Sequence, residues 1–182
     1  MNVPDHFGLF GLPELFAVDL AALERRYLEL SREHHPDRHA MKTPAQRLAA
    51  VQKTTDVNLA YKVLKDEFRR AEHLLQRRGI ATSEASSQDH RATVDTSLLM
   101  EVLELREALS EARAANDRAR VDGLANDVRA KEAQAWDTIR AGFVLLDEGD
   151  GAELTAIVNA LTQLRYYRRF LDEVADIEET ES

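Results

Sequence analysis

The sequence predicts an all-α protein made of two helical units. Three observations predict it. Apolar residues recur at three- and four-residue steps along most of the chain, no stretch of useful length alternates apolar with polar as a strand would, and the breaks in periodicity carry residues that cap or stop helices. Charge divides along the same line. Residues 1–79 hold 13 Lys and Arg against 11 Asp and Glu, whereas residues 80–182 hold 11 against 22, giving the overall net charge of −9. A chain of 182 residues with 44% hydrophobic content can bury one core or two small ones.

The first element is a short segment, Leu9-Phe10-Gly11-Leu12-Pro13. Next, Leu20, Leu23, Tyr27 and Leu30 fall at helical spacing behind Asp19, a good N-cap, and form one amphipathic helix ending near His34. The tripeptide His35-Pro36-Asp37 follows. Proline cannot continue a helix and bars its predecessor from the α region, so His35 is held extended at the helix end. Such a fixed loop, presenting an imidazole and a carboxylate two residues apart, is suited to recognition.

Past the loop, Thr43 can cap a helix with Pro44 at its first position, and Leu48, Val51, Val57, Tyr61, Leu64, Phe68, Ala71 and Leu75 extend an apolar stripe as far as Gly79. Between Arg47 and Arg78 this stretch carries eight basic and four acidic residues, a modest basic surface beside the tripeptide that can steer an acidic protein partner. Residues 81–89 are small, polar and aperiodic, and read as a connector. Three further helices are expected over about residues 95–122, 124–147 and 152–178. Glu148-Gly149-Asp150-Gly151 separates the last two, and Asp122-Gly123 the first two.

The first of these helices has more apolar surface than one core needs. Leu98, Val102, Leu105, Leu109 and Ala112 make an inward stripe, while Leu99, Met100 and Leu103 share a neighbouring face with Glu104, Glu107 and Glu111. That second face is either covered by the last helix or forms an apolar interaction patch fringed with carboxylates. On the last helix the expected core is Ile157, Leu161, Leu164, Tyr167, Leu171 and Val174. Tyr166 and Phe170 are left as a second aromatic face, with Tyr166 extending the patch.

Several function classes are excluded or disfavoured. No run approaches the roughly 20 apolar residues of a membrane span, and the first ten residues lack the pattern of a signal peptide, so a cytoplasmic protein is expected. The chain has no cysteine, hence no disulfide and no thiolate for a metal or cluster. Nucleic acid would want a denser basic patch than this acidic chain offers. His34, His35 and His39 with Asp37 could suggest a metal site, but Pro36 breaks the helix that the His35 and His39 spacing would need. Seven glycines form no phosphate-binding loop, so neither an enzyme nor a resident cofactor is expected.

The helical pair around His35-Pro36-Asp37, the short segment ahead of it, Tyr27 and the run Val57-Asn58-Leu59-Ala60-Tyr61-Lys62-Val63-Leu64 resemble the J-domain of DnaJ-like co-chaperones. Leu98-Leu99-Met100-Glu101-Val102-Leu103-Glu104-Leu105-Arg106-Glu107-Ala108-Leu109 resembles the opening helix of the C-terminal domain in the HscB family, J-type co-chaperones of iron-sulfur cluster assembly. The run Leu164-Arg165-Tyr166-Tyr167-Arg168-Arg169-Phe170-Leu171 is similar to that family as well. The resemblance implies a J-domain over residues 1–79 (an antiparallel helical hairpin with short flanking helices), a connector over 80–94, and a C-terminal three-helix scaffold-binding domain over 95–182.

It also implies two partners. His35, Pro36, Asp37 and Arg38 would engage a DnaK-class, HscA-type ATPase chaperone and stimulate its ATP hydrolysis. Leu99, Met100, Leu103, Glu104, Glu107, Glu111 and Tyr166 would bind the IscU-type cluster scaffold. ATP would then belong to the chaperone and the cluster to the scaffold. Two features depart from the wider J-domain pattern: Arg38 stands where lysine is commoner, and Arg25, Arg26 and Arg32 are balanced by Glu24, Glu29 and Glu33 ahead of the tripeptide. The alternative function is a general J-domain co-chaperone that delivers unfolded clients.

Overall fold

The computed structural model describes residues 3–35, 43–80, 96–149 and 153–180, with side chains to residue 176. The chain divides into two compact units, residues 1–80 and 81–182. All regular structure among the described residues is helical: α1 (His6–Phe10), α2 (Leu20–Glu33), α3 (Pro44–Lys65), α4 (Glu67–Arg77), α5 (Thr96–Ala114), α6 (Arg118–Asp147) and α7 (Leu154–Thr180).

Local chemistry sets the helix ends in the first unit. Asp5 caps α1 by accepting from the Gly8 N–H at 2.8 Å, and Gly11, at φ 65°, closes it in a left-handed turn that disfavours a side chain. Asp19 caps α2 through the N–H groups of Ala21 and Ala22. Thr43 and Gln46 cap α3 reciprocally, with Pro44 at its first position.

The expected single stripe from Leu48 to Leu75 is two helices. Asp66 leaves helical geometry at φ −82°, ψ 122°, ends α3, and caps α4 by accepting from the Arg69 N–H at 2.8 Å. The Arg70 guanidinium secures this corner from inside. It is buried, donates to the carbonyls of Phe16 (2.9 Å) and Leu64, and lies over the Phe16 ring. Leu64 is in the last turn of α3, where carbonyls lack helical partners, so the cation satisfies an orphan acceptor.

α2 and α3 run antiparallel, as three contacts show: Tyr61 donates to Glu24, Tyr27 to Asn58 (3.0 Å), and Thr54 to the His34 carbonyl (3.0 Å). Since α2 has 14 residues and α3 has 22, α3 continues beyond the end of α2. Leu48 and Val51, expected inward, are exposed, Leu48 to 71%, because they stand on the side of α3 opposite Val57, Ala60 and Leu64. The core of this unit is carried by Phe7, Phe10, Leu23, Val57, Leu64 and Leu74.

In the second unit the first break falls at residues 115–117, ahead of the expected Asp122-Gly123. Asn116 takes the left-handed conformation at φ 52°, and Asp117 accepts from the Arg120 N–H at 3.0 Å to cap α6. Gly123 is thus an exposed interior residue of α6. Leu98, Val102 and Leu109 from α5, Val121 and Val128 from α6, and Tyr167, Phe170 and Val174 from α7 share one core cluster. Phe170, expected on an outer aromatic face, is buried, and Leu171 is only half-buried. The stripe admits either position, and the ring takes the inner one. α6 and α7 approach so closely at Gly142 that an added Cβ would stand 2.6 Å from Ile157 Cγ1. Trp136, the one tryptophan of the chain, is nearly buried, with the guanidinium carbons of Arg140 and Arg168 5.6 and 5.3 Å from its ring.

Candidate functional site

Each unit presents one candidate surface. In the first, the end of α2 is fastened before the tripeptide begins. The His34 N–H donates to the Leu30 carbonyl at 3.0 Å, and the His34 carbonyl accepts from Thr54 of α3. His35 follows immediately and is exposed. Pro36, Asp37 and Arg38 lie outside the described residues, as does His39 of the three-histidine grouping.

His35 joins Leu28, Ser31 and Arg32 in lining an open, largely apolar depression beside the helix end. The Ser31 hydroxyl oxygen is buried there without a hydrogen-bond partner. Deeper along the hairpin, Tyr27 and Tyr61 stack at 4.0 Å with their planes 18° apart. That stack braces α2 against α3, and Lys65 Nζ, on α3 like Tyr61, stands 5.3 Å from the Tyr61 ring. The charge balance of α2 is realised in space, since Arg26 pairs with Glu29 at 2.9 Å.

In the second unit, Leu99, Met100 and Leu103 are exposed to 41, 55 and 57%. Glu104, Glu107 and Glu111 are exposed on the same side of α5, while Leu98, Val102, Leu109 and Ala112 fill the opposite side. Helical geometry separates the two sets cleanly. Glu111 is already paired with Arg120 at 3.0 Å, so the carboxylate fringe is freest at Glu104 and Glu107.

Tyr166 is half-buried and packs against the core cluster. Its level along the bundle follows from two contacts. Tyr167 donates to Glu101 at 3.2 Å, and Arg106 pairs with Glu173 at 3.6 Å, so α5 and α7 run parallel at a nearly constant offset. The same offset places Tyr166 level with Leu99, at the N-terminal end of the apolar face. Glu101 also receives Lys131 of α6 at 2.6 Å, so one carboxylate ties all three helices. Burial, with the Glu101 charge and hydrogen bond added, pushes the Tyr167 phenol up to about 12.

Among the described residues no group of three or more His, Asp or Glu side chains is placed to hold a metal ion, and no helix is long and apolar enough to cross a membrane.

Comparison with known proteins agrees with this division. A family model described as the DnaJ domain matches residues 5–73, and one described as the HSCB C-terminal oligomerisation domain matches residues 94–175. Chaperone HscB from Vibrio cholerae is 29% identical, with a TM-score of 0.79 over 98% of this chain and 100% of that one. The human co-chaperone protein HscB is 26% identical, with a TM-score of 0.78 over 98% of this chain and 84% of that one. The Jac1 co-chaperone from Saccharomyces cerevisiae shares the fold, with a TM-score of 0.70 at 23% identity over 97% of this chain and 95% of that one.

Proposed function

Because the chain belongs to the HscB family of J-domain co-chaperones, we propose that it couples an iron-sulfur cluster scaffold of the IscU type to an HscA-type, DnaK-class chaperone during cluster assembly, in the cytoplasm. The observation that carries this reading is the outward face of α5. Three large apolar side chains stand in solvent beside carboxylates, on a unit whose core is complete without them.

In this reading the apolar residues supply affinity by burial, and Glu104 and Glu107 supply register and reject wrong partners. Tyr166 adds a ring at the end of the face. The first unit brings His35, Pro36, Asp37 and Arg38 to the chaperone, and α2, pinned at His34, delivers them from a fixed base. Holding both partners on one chain raises the scaffold's effective concentration at the chaperone, whose ATP hydrolysis then locks the scaffold on. The ATPase chemistry belongs to the chaperone. This chain works by binding.

The test is binding of the purified chain to a folded IscU-type scaffold and to a denatured polypeptide, alongside ATPase assays with an HscA-type chaperone. Preference for the folded scaffold together with ATPase stimulation is expected. Equal or stronger binding of denatured polypeptide would instead support a general co-chaperone for unfolded clients.

A further inference from the structure

The apolar face of α5 has two edges of opposite charge. Along one edge Glu104, Glu107 and Glu111 stand in solvent. Along the other, Leu99, Leu103, Arg106, Ser110 and Arg113 follow one another at three- and four-residue steps, and both arginines are exposed. α7 adds a third cation to this second edge. Tyr166, Arg169 and Glu173 recur at the same steps on α7, with Tyr166 level with Leu99 and Glu173 reaching Arg106. Arg169, exposed between them, therefore stands level with Leu103.

The fold makes little use of these arginines. Arg106 meets Glu173 at 3.6 Å, but both side chains are about half exposed, and such a pair adds little to stability. Among the described residues neither Arg113 nor Arg169 is in an ion pair. This holds in a half of the chain that has 11 Lys and Arg against 22 Asp and Glu. Cations left without local carboxylates in so acidic a unit, and aligned on one edge of an exposed apolar strip, are placed for carboxylates that come from outside.

We propose that Arg106 and Arg169, with Arg113 beyond them, form a cationic edge of the scaffold-binding face that takes carboxylates of the scaffold. The inference rests on the scaffold-binding role proposed above and deepens it. Leu99, Met100 and Leu103 would hold the scaffold between two edges of opposite sign, so it docks in one orientation only: basic residues over Glu104 and Glu107, acidic residues over the arginines. A partner turned end over end or side to side would set like charges together. The Arg106–Glu173 bridge then acts as a placeholder, which the scaffold's carboxylate displaces.

The experiment measures binding of the full chain to a purified, folded IscU-type scaffold, with the urea midpoint of each variant alongside. Arg106→Gln with Arg169→Gln should weaken binding about tenfold and leave the midpoint unchanged. The difference from wild type should shrink as salt is raised. Glu173→Gln should tighten binding by about threefold, because it releases Arg106 to the partner. Arg129→Gln, an exposed cation of α6 outside this face, should bind as wild type does. Should the double variant fail to fold, Arg169→Gln alone, which breaks no ion pair, decides by weakening binding about threefold. A wild-type chain that does not bind the folded scaffold overturns the proposed function and this inference together. Binding that is lost when Leu99, Met100 and Leu103 become Ala, yet is unchanged in the arginine variants, overturns this inference alone. So does a Glu173→Gln variant that loses affinity and midpoint together with the Arg106 variant, since the bridge would then be a brace between α5 and α7.

Discussion

His6 of α1 and His73 of α4 stack face to face, with ring centroids 4.4 Å apart and planes inclined by 22°. Both side chains are buried, and His73 Nε2 has no hydrogen-bond partner. Burial pushes the His73 imidazole down to about 4, with the neighbouring His6 and Arg77 acting the same way and Glu14 and Asp5 opposing. His6 is also lowered, chiefly by burial, against Asp5 and Asp56. Arg77, bridged to Glu14 at 2.7 Å, adds positive charge nearby.

A histidine whose folded-state pKa lies below its unfolded value binds its proton more readily when unfolded. Its contribution to stability is complete above about pH 6.5 and is lost progressively toward pH 4, by as much as about 3 kcal/mol for His73. The urea midpoint of the first unit should therefore fall between about pH 7.5 and pH 5. His73→Phe should flatten that dependence. A wild-type midpoint that stays level across this interval would show that the pair is protonated without cost.

Replacing His35 by Gln should abolish chaperone ATPase stimulation while leaving the thermal transition within about 1 °C, because an exposed side chain beyond the α2 cap holds no core together. Stimulation that survives the change would remove the tripeptide from the mechanism.

Changing Leu99, Met100 and Leu103 together to Ala should weaken scaffold binding by a few kcal/mol with little movement of the denaturant midpoint, since all three are exposed. Were they core, each would cost on the order of 2 kcal/mol of stability. Glu104→Gln with Glu107→Gln should mainly slow association. Glu111→Gln should do less, because Arg120 already neutralises it.

Glu101→Gln should destabilise the second unit by about 1–2 kcal/mol, read as a lowered urea midpoint, because it weakens the bonds from Lys131 and Tyr167 at once. Gly142→Ala should cost a similar amount by forcing Ile157 aside. An unchanged midpoint in either variant would show that the helix contacts relax freely.

What was legible in the sequence was local. Asp19, Thr43-Pro44 and Gly79 announced helix ends because capping involves neighbours in the chain, and face counting separated Leu99, Met100 and Leu103 from the inward stripe. Asp66 gives no signal of a helix end because the apolar period runs through it, and Asn116-Asp117 is masked by Gly123, the stronger breaker by residue type. Periodicity could assign Leu48 and Val51 to a stripe, yet the six-residue step from Val51 to Val57 carries that stripe from the outer side of α3 to the inner one. The burial of Arg70 and the pairing of His6 with His73 depend on residues far apart in the chain, and no short-range pattern encodes them.

The lone indole of Trp136 makes the two halves optically distinguishable. Tyrosines are present in both units, but tryptophan only in the second. A melting curve followed by indole emission tracks α5–α7 alone, whereas one followed by helical circular dichroism tracks the whole molecule. Where the two curves part, the difference is the melting of the first unit, obtained without any label or dissection of the chain.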